Sequence, residues 1–227
     1  MCRKSLLFVK LILGSLVLTV VSGGIAAAES LSLEEVVQGL QNVYERTADL
    51  KANFVQDVVM VAVNRQERSE GTVYYKPPHR MLWDYKKPAA KKLIVNPDKA
   101  YLYVPGERAV YVQDTARLFK SQLIVRLLNG IGKVTEDFRM AFADSGAPTD
   151  GEGNYRLVMT PKKADLGVDK ILVTLHRDDF TIIQCRFTDV YGNRTTVQFR
   201  NIKRNTQLSD KLFQFKPPAK TDVYPLP

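Results

Sequence analysis

Three short runs between residues 93 and 112 are apolar at every position, and they constrain the fold more than any other feature of the sequence. They read LIV at 93–95, YLYV at 101–104 and AVYV at 109–112. Successive side chains of a strand point to opposite faces, so these strands have two apolar faces that must both be covered. Either helices cover one face while the sheet curls over the other, or part of the apolar surface is kept for a guest molecule.

The connections between the predicted strands are mostly too short for parallel crossovers, which predicts an antiparallel sheet. Late strands such as 194–202 alternate apolar and polar residues, as expected when one face is in water. The predicted strands are 53–63, 71–76, 80–85, 92–96, 100–104, 109–113, 137–143, 154–160, 169–177, 180–188, 194–202 and 212–215. Helices are predicted at 32–48, where Ser32 and Glu35 match a capping box, and at 115–129. These elements predict an α+β fold that is mainly β.

Residues 1–28 have the pattern of a cleaved secretory signal peptide, with a basic start, an apolar run and an alanine-rich end. The remaining residues 29–227 are predicted to form a single domain of normal size. Cleavage removes three cations and no acid, so the formal charge falls from +9 to +6. It also leaves Cys185 as the only cysteine, which excludes a disulfide within the chain. Its position between Ile183 and Phe187 predicts a small buried hydrophobic residue.

No catalytic or metal-binding motif is recognisable in the sequence. His79 and His176 lack the spacing of a zinc site, and residues 130–133 (GIGK) lack the other positions of a phosphate-binding loop. The Asp178-Asp179 pair falls between two strands, where a solvated turn is expected. The cations are scattered and the chain is predicted to be exported, which argues against a nucleic-acid partner. The combination favours carriage of an apolar ligand over catalysis.

Several short motifs along residues 50–218 resemble, in order and spacing, those of the LolA family, periplasmic carriers that take lipoproteins from the inner to the outer membrane. The motifs are LKANFVQ (50–56), Gly71, Pro78 five residues before Trp83, Pro88 ahead of LIV (93–95), YLYVP (101–105), LVMTPK (157–162), DVYGNRTTVQF (189–199) and FQFKPP (213–218). The resemblance implies an incomplete antiparallel β-barrel, in which a strongly curved sheet and covering helices enclose an apolar cavity for acyl chains. It also implies that the protein is not an enzyme and needs no cofactor.

The same resemblance implies a location and a set of partners. The protein is expected in the periplasm, soluble after signal cleavage and monomeric, with acylated lipoproteins as cargo. The donor would be an inner-membrane lipoprotein-releasing ABC transporter, and the acceptor an outer-membrane lipoprotein receptor or the outer membrane itself. A LolA-like carrier or sensor of another amphiphile, such as a glycolipid, is the alternative. A third hypothesis is an envelope hydrolase with an unrecognised site.

Candidate site residues follow from the resemblance by position, with ordinary core packing as the alternative for each. The predicted lipid-binding cavity contains Met81, Trp83, Leu93, Val95, Tyr101, Tyr103, Ile124, Leu127 and Leu128, of which the last three belong to the lid. The basic residue that many family members carry before the proline is replaced here by Pro77. Lys76 and Arg80 are therefore the candidates for a gate or rim. The usual Pro-x-Gly near the C-terminus reads Pro218-Ala219-Lys220.

Overall fold

The twelve strands found in the described residues form one strongly curved open sheet. The computed structural model describes residues 31–121, 134–162 and 168–225. The strands are β1 Leu50–Met60, β2 Arg65–Lys76, β3 Arg80–Lys87, β4 Lys91–Val95, β5 Lys99–Val104, β6 Ala109–Asp114, β7 Phe138–Phe142, β8 Tyr155–Pro161, β9 Val168–Leu175, β10 Ile182–Asp189, β11 Arg194–Arg204 and β12 Asp222–Pro225. The α-helices are α1 Leu33–Arg46, α2 Thr115–Ser121 and α3 Val134–Asp137.

The order of strands across the sheet is β12-β6-β5-β4-β3-β2-β1-β11-β10-β9-β8-β7. Two meanders, β1–β6 and β7–β11, meet where β1 pairs with β11 as well as with β2. All neighbours are antiparallel except β12, which runs parallel to β6. The prediction of a mainly β, antiparallel and strongly curved sheet is confirmed, and β12 is an edge strand that the sequence pattern did not indicate.

Helix α1 begins as its sequence predicts. The Ser32 hydroxyl accepts a hydrogen bond from the amide of Glu35 (3.3 Å), and the Glu35 carboxylate accepts one from the amide of Ser32 (2.8 Å). Val36 and Leu40 are fully buried against β8, β9 and β10. The Gln41 side chain accepts a hydrogen bond from the amide of Val134 (3.1 Å), which attaches the first residue of α3 to α1.

The face of the sheet that α1 and α2 cover is called the inner face. Beneath α1 it carries a core of side chains from β8, β9 and β10, including Leu157, Ile171 and Cys185. Beneath α2 a second core contains Leu118 of the helix, the cavity candidates Met81, Trp83 and Val95, and Phe54. Alternation along a strand explains why Met81 and Trp83 both lie on the inner face, because residues at every second position of a strand share a face.

The opposite, outer face of β2–β5 is covered by the chain between β11 and β12. Phe213 is buried there against Leu82 and Ile94, with Leu208, Leu212 and Phe215 packed around them. This segment supplies the second cover that the doubly apolar strands require, and neither sequence-based alternative anticipated it. The strand predicted at 212–215 is wrong, because Asp210–Phe213 is a 3-10 helix whose N-cap Ser209 accepts a hydrogen bond from the amide of Lys211.

The sole cysteine of the described residues, Cys185, is fully buried, as predicted, and burial raises the pKa of its thiol to about 12. The thiolate is the reactive form of cysteine. Burial keeps reagents away from this thiol and keeps it protonated at neutral pH, and both effects lower its reactivity. In a Cys2→Ser background we expect no modification by a thiol reagent at neutral pH until the protein is unfolded in denaturant, as followed by mass spectrometry. Labelling of the native protein at the rate of a free thiol would contradict the buried position.

Candidate functional site

An apolar cavity lies between the C-terminal half of α1 and the inner face of the sheet. Helix α1 supplies one wall, and β1, β2, β3, β11 and the start of β10 supply the other. The lining residues are Leu40, Val43, Tyr44, Thr47, Leu50, Ala52, Val73, Tyr75, Trp83, Thr181, Ile182, Phe199 and Ile202. No helix in the described part of the chain is long and apolar enough to cross a membrane.

Regular spacing in the sequence builds both walls of the cavity. Leu40, Val43 and Tyr44 stand three and four residues apart, so they form one stripe on α1. Val73 and Tyr75 are two residues apart on β2, and they reach the same face of the sheet because side chains alternate. One wall therefore follows from the 3.6-residue period of the helix, and the other from the two-residue period of the strands.

Aromatic rings form the floor next to the cavity. The Phe54 ring contacts Trp83 edge-on, with ring centroids 4.6 Å apart, and Tyr85 with centroids 4.9 Å apart. Phe199 of β11 lies 6.2 Å from Trp83, centroid to centroid. The Tyr85 hydroxyl donates to the Gln56 side chain (2.9 Å), and burial, with a smaller contribution from Glu67, raises its pKa to about 12. This floor is aromatic and uncharged at neutral pH.

The polar groups on the cavity wall are few and neutral. Burial raises the pKa of both Tyr44 and Tyr75 above the ordinary value of 10, so both hydroxyls stay protonated at neutral pH. The Thr47 hydroxyl is used within α1, where it donates to the carbonyl of Val43 (2.6 Å). The hydroxyl of Thr181 is buried without a hydrogen-bond partner among the described residues. Such a wall suits hydrocarbon and disfavours an ionised group.

The cavity is small and partly open to its surroundings. The space open to the centre of a water-sized sphere is about 70 Å³. A single water needs about 10–15 Å³ by that measure, so the space corresponds to about five to seven waters. Such a space is small for an anchor with several acyl chains, and we expect a wall to move when cargo of that kind enters.

The end of α1 is fixed to the segment that follows β11. The Asn205 side chain accepts a hydrogen bond from the amide of Ala48 (2.8 Å) and donates one to the carbonyl of Arg46 (3.2 Å). The buried Asp49 carboxylate accepts hydrogen bonds from the amide and hydroxyl of Thr206 (2.7 and 2.9 Å) and from the amide of Leu208 (3.1 Å). Movement of this end of α1 therefore requires several hydrogen bonds to break.

Four of the predicted cavity residues lie on the inner face. Trp83 lines the cavity itself, whereas Met81, Leu93 and Val95 belong to the adjoining core that Trp83 shares. The Trp83 indole donates to the sulfur of Met81 (2.9 Å). Met81 and Val95 are buried by packing in this state, so their contribution to a lipid site depends on opening. The predicted lid residues Ile124, Leu127 and Leu128 lie outside the described residues.

Tyr101 and Tyr103 do not line the cavity, and that part of the prediction is wrong. Their rings lie 5.3 and 5.6 Å from Phe215, centroid to centroid, on the outer face. The pairing register explains the difference, because Tyr101 lies opposite Ile94, an outer-face residue, rather than opposite Leu93. Both faces of this strand are apolar, so the sequence pattern did not distinguish them.

Lys76 and Arg80 also lie on the outer face, where they bind the C-terminal segment rather than form a gate over the cavity. The Lys76 ammonium contacts the Asp210 carboxylate (2.6 Å) and donates to the carbonyl of Leu208 (2.8 Å), and Arg80 lies 3.8 Å from Asp210. The hydrogen bond from Lys76 is the main cause of the lowered pKa of Asp210. Since Tyr75 points into the cavity, the next residue, Lys76, points away from it.

The cavity contains residues that the resemblance did not identify. On the helix side they are Leu40, Val43, Tyr44 and Thr47, and on the sheet side Leu50, Ala52, Val73, Tyr75, Thr181, Ile182, Phe199 and Ile202. The α1 stripe was visible in the sequence and was interpreted only as the packed face of a helix. The strand residues carry no local signal, because their common face depends on how β1, β2 and β11 pair.

The described residues contain no group of three or more histidine, cysteine or acidic side chains that could hold a metal ion. His176 lies 3.5 Å from Asp179 and 3.9 Å from Asp178 in the exposed turn between β9 and β10. Asp179 is also bound by Arg204 (2.8 Å), so these charges join a turn to β11. These contacts indicate that the cluster has a structural role.

Comparison with known proteins identifies the family of the chain. The family described as "Outer membrane lipoprotein carrier protein LolA" matches residues 45–216. The outer-membrane lipoprotein carrier protein of Methylobacillus flagellatus is 27% identical over 187 residues, which cover 82% of this chain and 87% of that protein. The protein of the same name from Dechloromonas aromatica is also 27% identical, covering 82% and 86%.

Among solved structures, an uncharacterized conserved protein from Thermus thermophilus shares the fold with a TM-score of 0.54. It is 13% identical, and the match covers 86% of this chain and all of that one (100%). This likeness supports the architecture alone, whereas the family match spans most of the chain. The chain belongs to the LolA family of outer-membrane lipoprotein carrier proteins.

Proposed function

We propose that the protein is a periplasmic carrier that shelters the acyl chains of lipoproteins between α1 and the inner face of the sheet. The observation that carries the proposal is the apolar cavity in a chain that belongs to the LolA family. Residues 1–28 would be the export signal, and residues 29–227 the carrier domain. The protein would perform no chemical step and would need no cofactor.

The physical need for such a carrier lies in the cost of exposing hydrocarbon to water. Each methylene transferred out of water gains about 0.8 kcal/mol, so a multiply acylated anchor is insoluble without a cover. The uncharged aromatic and aliphatic walls of the cavity supply that cover. We propose that an inner-membrane ABC transporter loads the carrier, and that an outer-membrane receptor or the outer membrane itself accepts the cargo.

Opening is part of the proposed cycle, because the cavity is small for an anchor with several acyl chains. The free energy needed to open the walls is subtracted from the affinity for cargo. A carrier benefits from this subtraction, since cargo that is bound too tightly cannot be released. The hydrogen bonds of Asn205 and Asp49 at the end of α1 set part of that opening cost.

A charge placed in the cavity wall tests the proposal. Ile202 is half-buried, so in Ile202→Glu a carboxylate can reach water in the empty protein but must be desolvated when hydrocarbon enters. We expect loading with an acylated lipoprotein to fall about tenfold or more. Loading is measured by transfer of a lipoprotein from detergent micelles to the protein.

The matched control is Val158→Glu, because Val158 is also half-buried on a strand but alternates with the buried residues of β8 on the other face. This variant should load normally. Equal loading by Ile202→Glu, Val158→Glu and the wild type would rule out the cavity as the site. Native mass spectrometry of protein from periplasm identifies the cargo: an acylated cysteine supports lipoprotein carriage, whereas a glycolipid would favour the alternative amphiphile.

A further inference from the structure

Four strongly exposed hydrophobic side chains stand together at one end of the sheet. Val61 and Val63 of the β1–β2 turn are 54% and 67% exposed, and Val190 and Tyr191 of the β10–β11 turn are 72% and 81% exposed. The two turns are neighbours, because β1 pairs with β11 up to Val59 and Arg194. Single exposed hydrophobic residues are ordinary on protein surfaces, but a group of four at adjoining turns is not.

Hydrogen bonds hold the backbone of both turns. Residues 61–63 form a 3-10 turn that the amide of Asn64 closes on the carbonyl of Val61 (3.2 Å). In the other turn, the Asp189 carboxylate accepts hydrogen bonds from the amides of Tyr191 and Asn193 (both 2.9 Å). The Asn193 side chain accepts a hydrogen bond from the amide of Val61 (3.2 Å), which joins the two turns.

The exposed charges of the two turns are of one sign, and the acids that adjoin them, Glu67 and Asp189, are half-buried. The exposed residues of both turns are Val61, Ala62, Val63, Asn64, Arg65, Gln66, Val190, Tyr191 and Arg194, and we call this set the tip surface. It contains two arginines and no acid. Arg65 and Arg194 have no ion pair within the described residues, and the nearby Asp189 carboxylate is turned inward to hold its own turn.

The size and composition of the tip surface indicate its partner. Stable protein interfaces use about 20 residues or more on each side, so nine residues at two turns are too few for a lasting dimer. Valine and tyrosine side chains beside arginines are instead typical of contact with the boundary between lipid headgroups and acyl chains. The arginines favour a surface with anionic headgroups.

We propose that the tip surface docks the protein shallowly and reversibly on an anionic lipid bilayer. This inference goes beyond the proposed carrier function and does not depend on it, because it concerns the empty protein and residues outside the cavity. The turns lie at the end of β1 remote from Leu50 and Ala52, which line the cavity. Bilayer contact therefore leaves the cavity lining untouched.

The chain contains its own control for a test, because the tripeptide Asp-Val-Tyr occurs twice. At 189–191 its Val190 and Tyr191 belong to the tip surface, and at 222–224 it lies in β12. Val223 and Tyr224 are also exposed, at 52% and 46%. The variants Val190→Ser/Tyr191→Ser and Val223→Ser/Tyr224→Ser therefore remove the same side chains from two places. The protein is recovered from the periplasm of expressing cells, and its N-terminus is determined before use.

Binding is measured by cosedimentation with vesicles of phosphatidylglycerol and phosphatidylethanolamine, and with vesicles of phosphatidylcholine alone. We expect the wild type to prefer the anionic vesicles, Val190→Ser/Tyr191→Ser to lose about tenfold in partitioning, and the β12 variant to match the wild type. Arg65→Gln/Arg194→Gln should abolish the preference for anionic vesicles and its sensitivity to salt.

A fluorescent reporter shows whether the turn itself meets lipid. In Tyr191→Trp the new indole should shift its emission to the blue with anionic vesicles, while the buried Trp83 contributes a constant background. The proposal is overturned if the tip variants bind as the wild type does, if both Val-Tyr variants lose binding equally, or if vesicles leave the emission of the Tyr191→Trp variant unchanged. Concentration-dependent self-association through the same residues would also overturn it in favour of a second copy of the chain.

Discussion

Replacing Gly71 by alanine is expected to lower the free energy of unfolding by about 3 kcal/mol. A Cβ atom at this position would lie 2.3 Å from the carbonyl oxygen of Asp84 and 2.9 Å from the ring of Phe54. The carbonyl belongs to the backbone of β3, so it cannot move aside without separating β2 from β3. The Phe54 ring is confined by Trp83 and Tyr85, which leaves the added methyl no space.

Gly106→Ala is the matched control for this change, because a Cβ at Gly106 would meet nothing within 4 Å. Urea unfolding of both variants, followed by circular dichroism, gives the two free energies. The Gly71→Ala midpoint should fall clearly while the slope of free energy against urea concentration stays constant. If both variants unfold at the wild-type midpoint, the close packing of β2, β3 and Phe54 is wrong.

Asp49→Ala should have an effect of similar size, a loss of about 3 kcal/mol at neutral pH. The change removes the acceptor of three hydrogen bonds, from the amide and hydroxyl of Thr206 and the amide of Leu208. Asp49 is only 3% exposed and Leu208 is half-buried, whereas Thr206 is exposed, so water can replace part of the lost hydrogen bonding. An alanine at the exposed Asp222 has no such partners to abandon and should leave stability almost unchanged.

The stabilisation by Asp49 should also depend on pH. Burial raises the pKa of the Asp49 carboxyl, but the hydrogen bonds from Thr206 and Leu208 outweigh burial, so its pKa in the folded protein lies below the ordinary 3.8. A depressed pKa means that the stabilisation is complete above pH 3.8 and is lost as the pH falls through the folded value. The stability difference between wild type and Asp49→Asn should therefore narrow below pH 3.8, and a constant difference would contradict the assignment.

Much of the fold followed from local sequence patterns. The capping box at Ser32 and Glu35 and the apolar stripe that follows them predicted α1, and short connections predicted the antiparallel sheet. The DVYGNR turn between β10 and β11 was also predicted correctly, because Asp, Gly and Asn each favour tight turns. The residues concerned interact within a few positions of one another, and such patterns are legible without knowledge of the tertiary structure.

Which face of each strand points inward was harder to predict from the sequence. Alternation separates a strand into two sets of side chains but does not say which set is inside when both are apolar. Tyr101 and Tyr103 were assigned to the cavity for this reason, and Lys76 was expected to act over the cavity rather than on Asp210. The missing information was the long-range packing of Phe213 and Phe215 on the outer face, which no local period reveals.

The position of β1 in the middle of the sheet has a consequence for how the chain acquires its structure. Phe54 pairs with Gly71 nearby in sequence, but also with Phe199, almost 150 positions later (199 minus 54). Contacts this distant are slow to form because a long loop must close first. Strands β2–β5 likewise keep one apolar face bare until Phe213 arrives. The complete sheet can therefore fold only after its last strands have been synthesised and exported. A chain interrupted before β11 would expose apolar strand surfaces that favour aggregation.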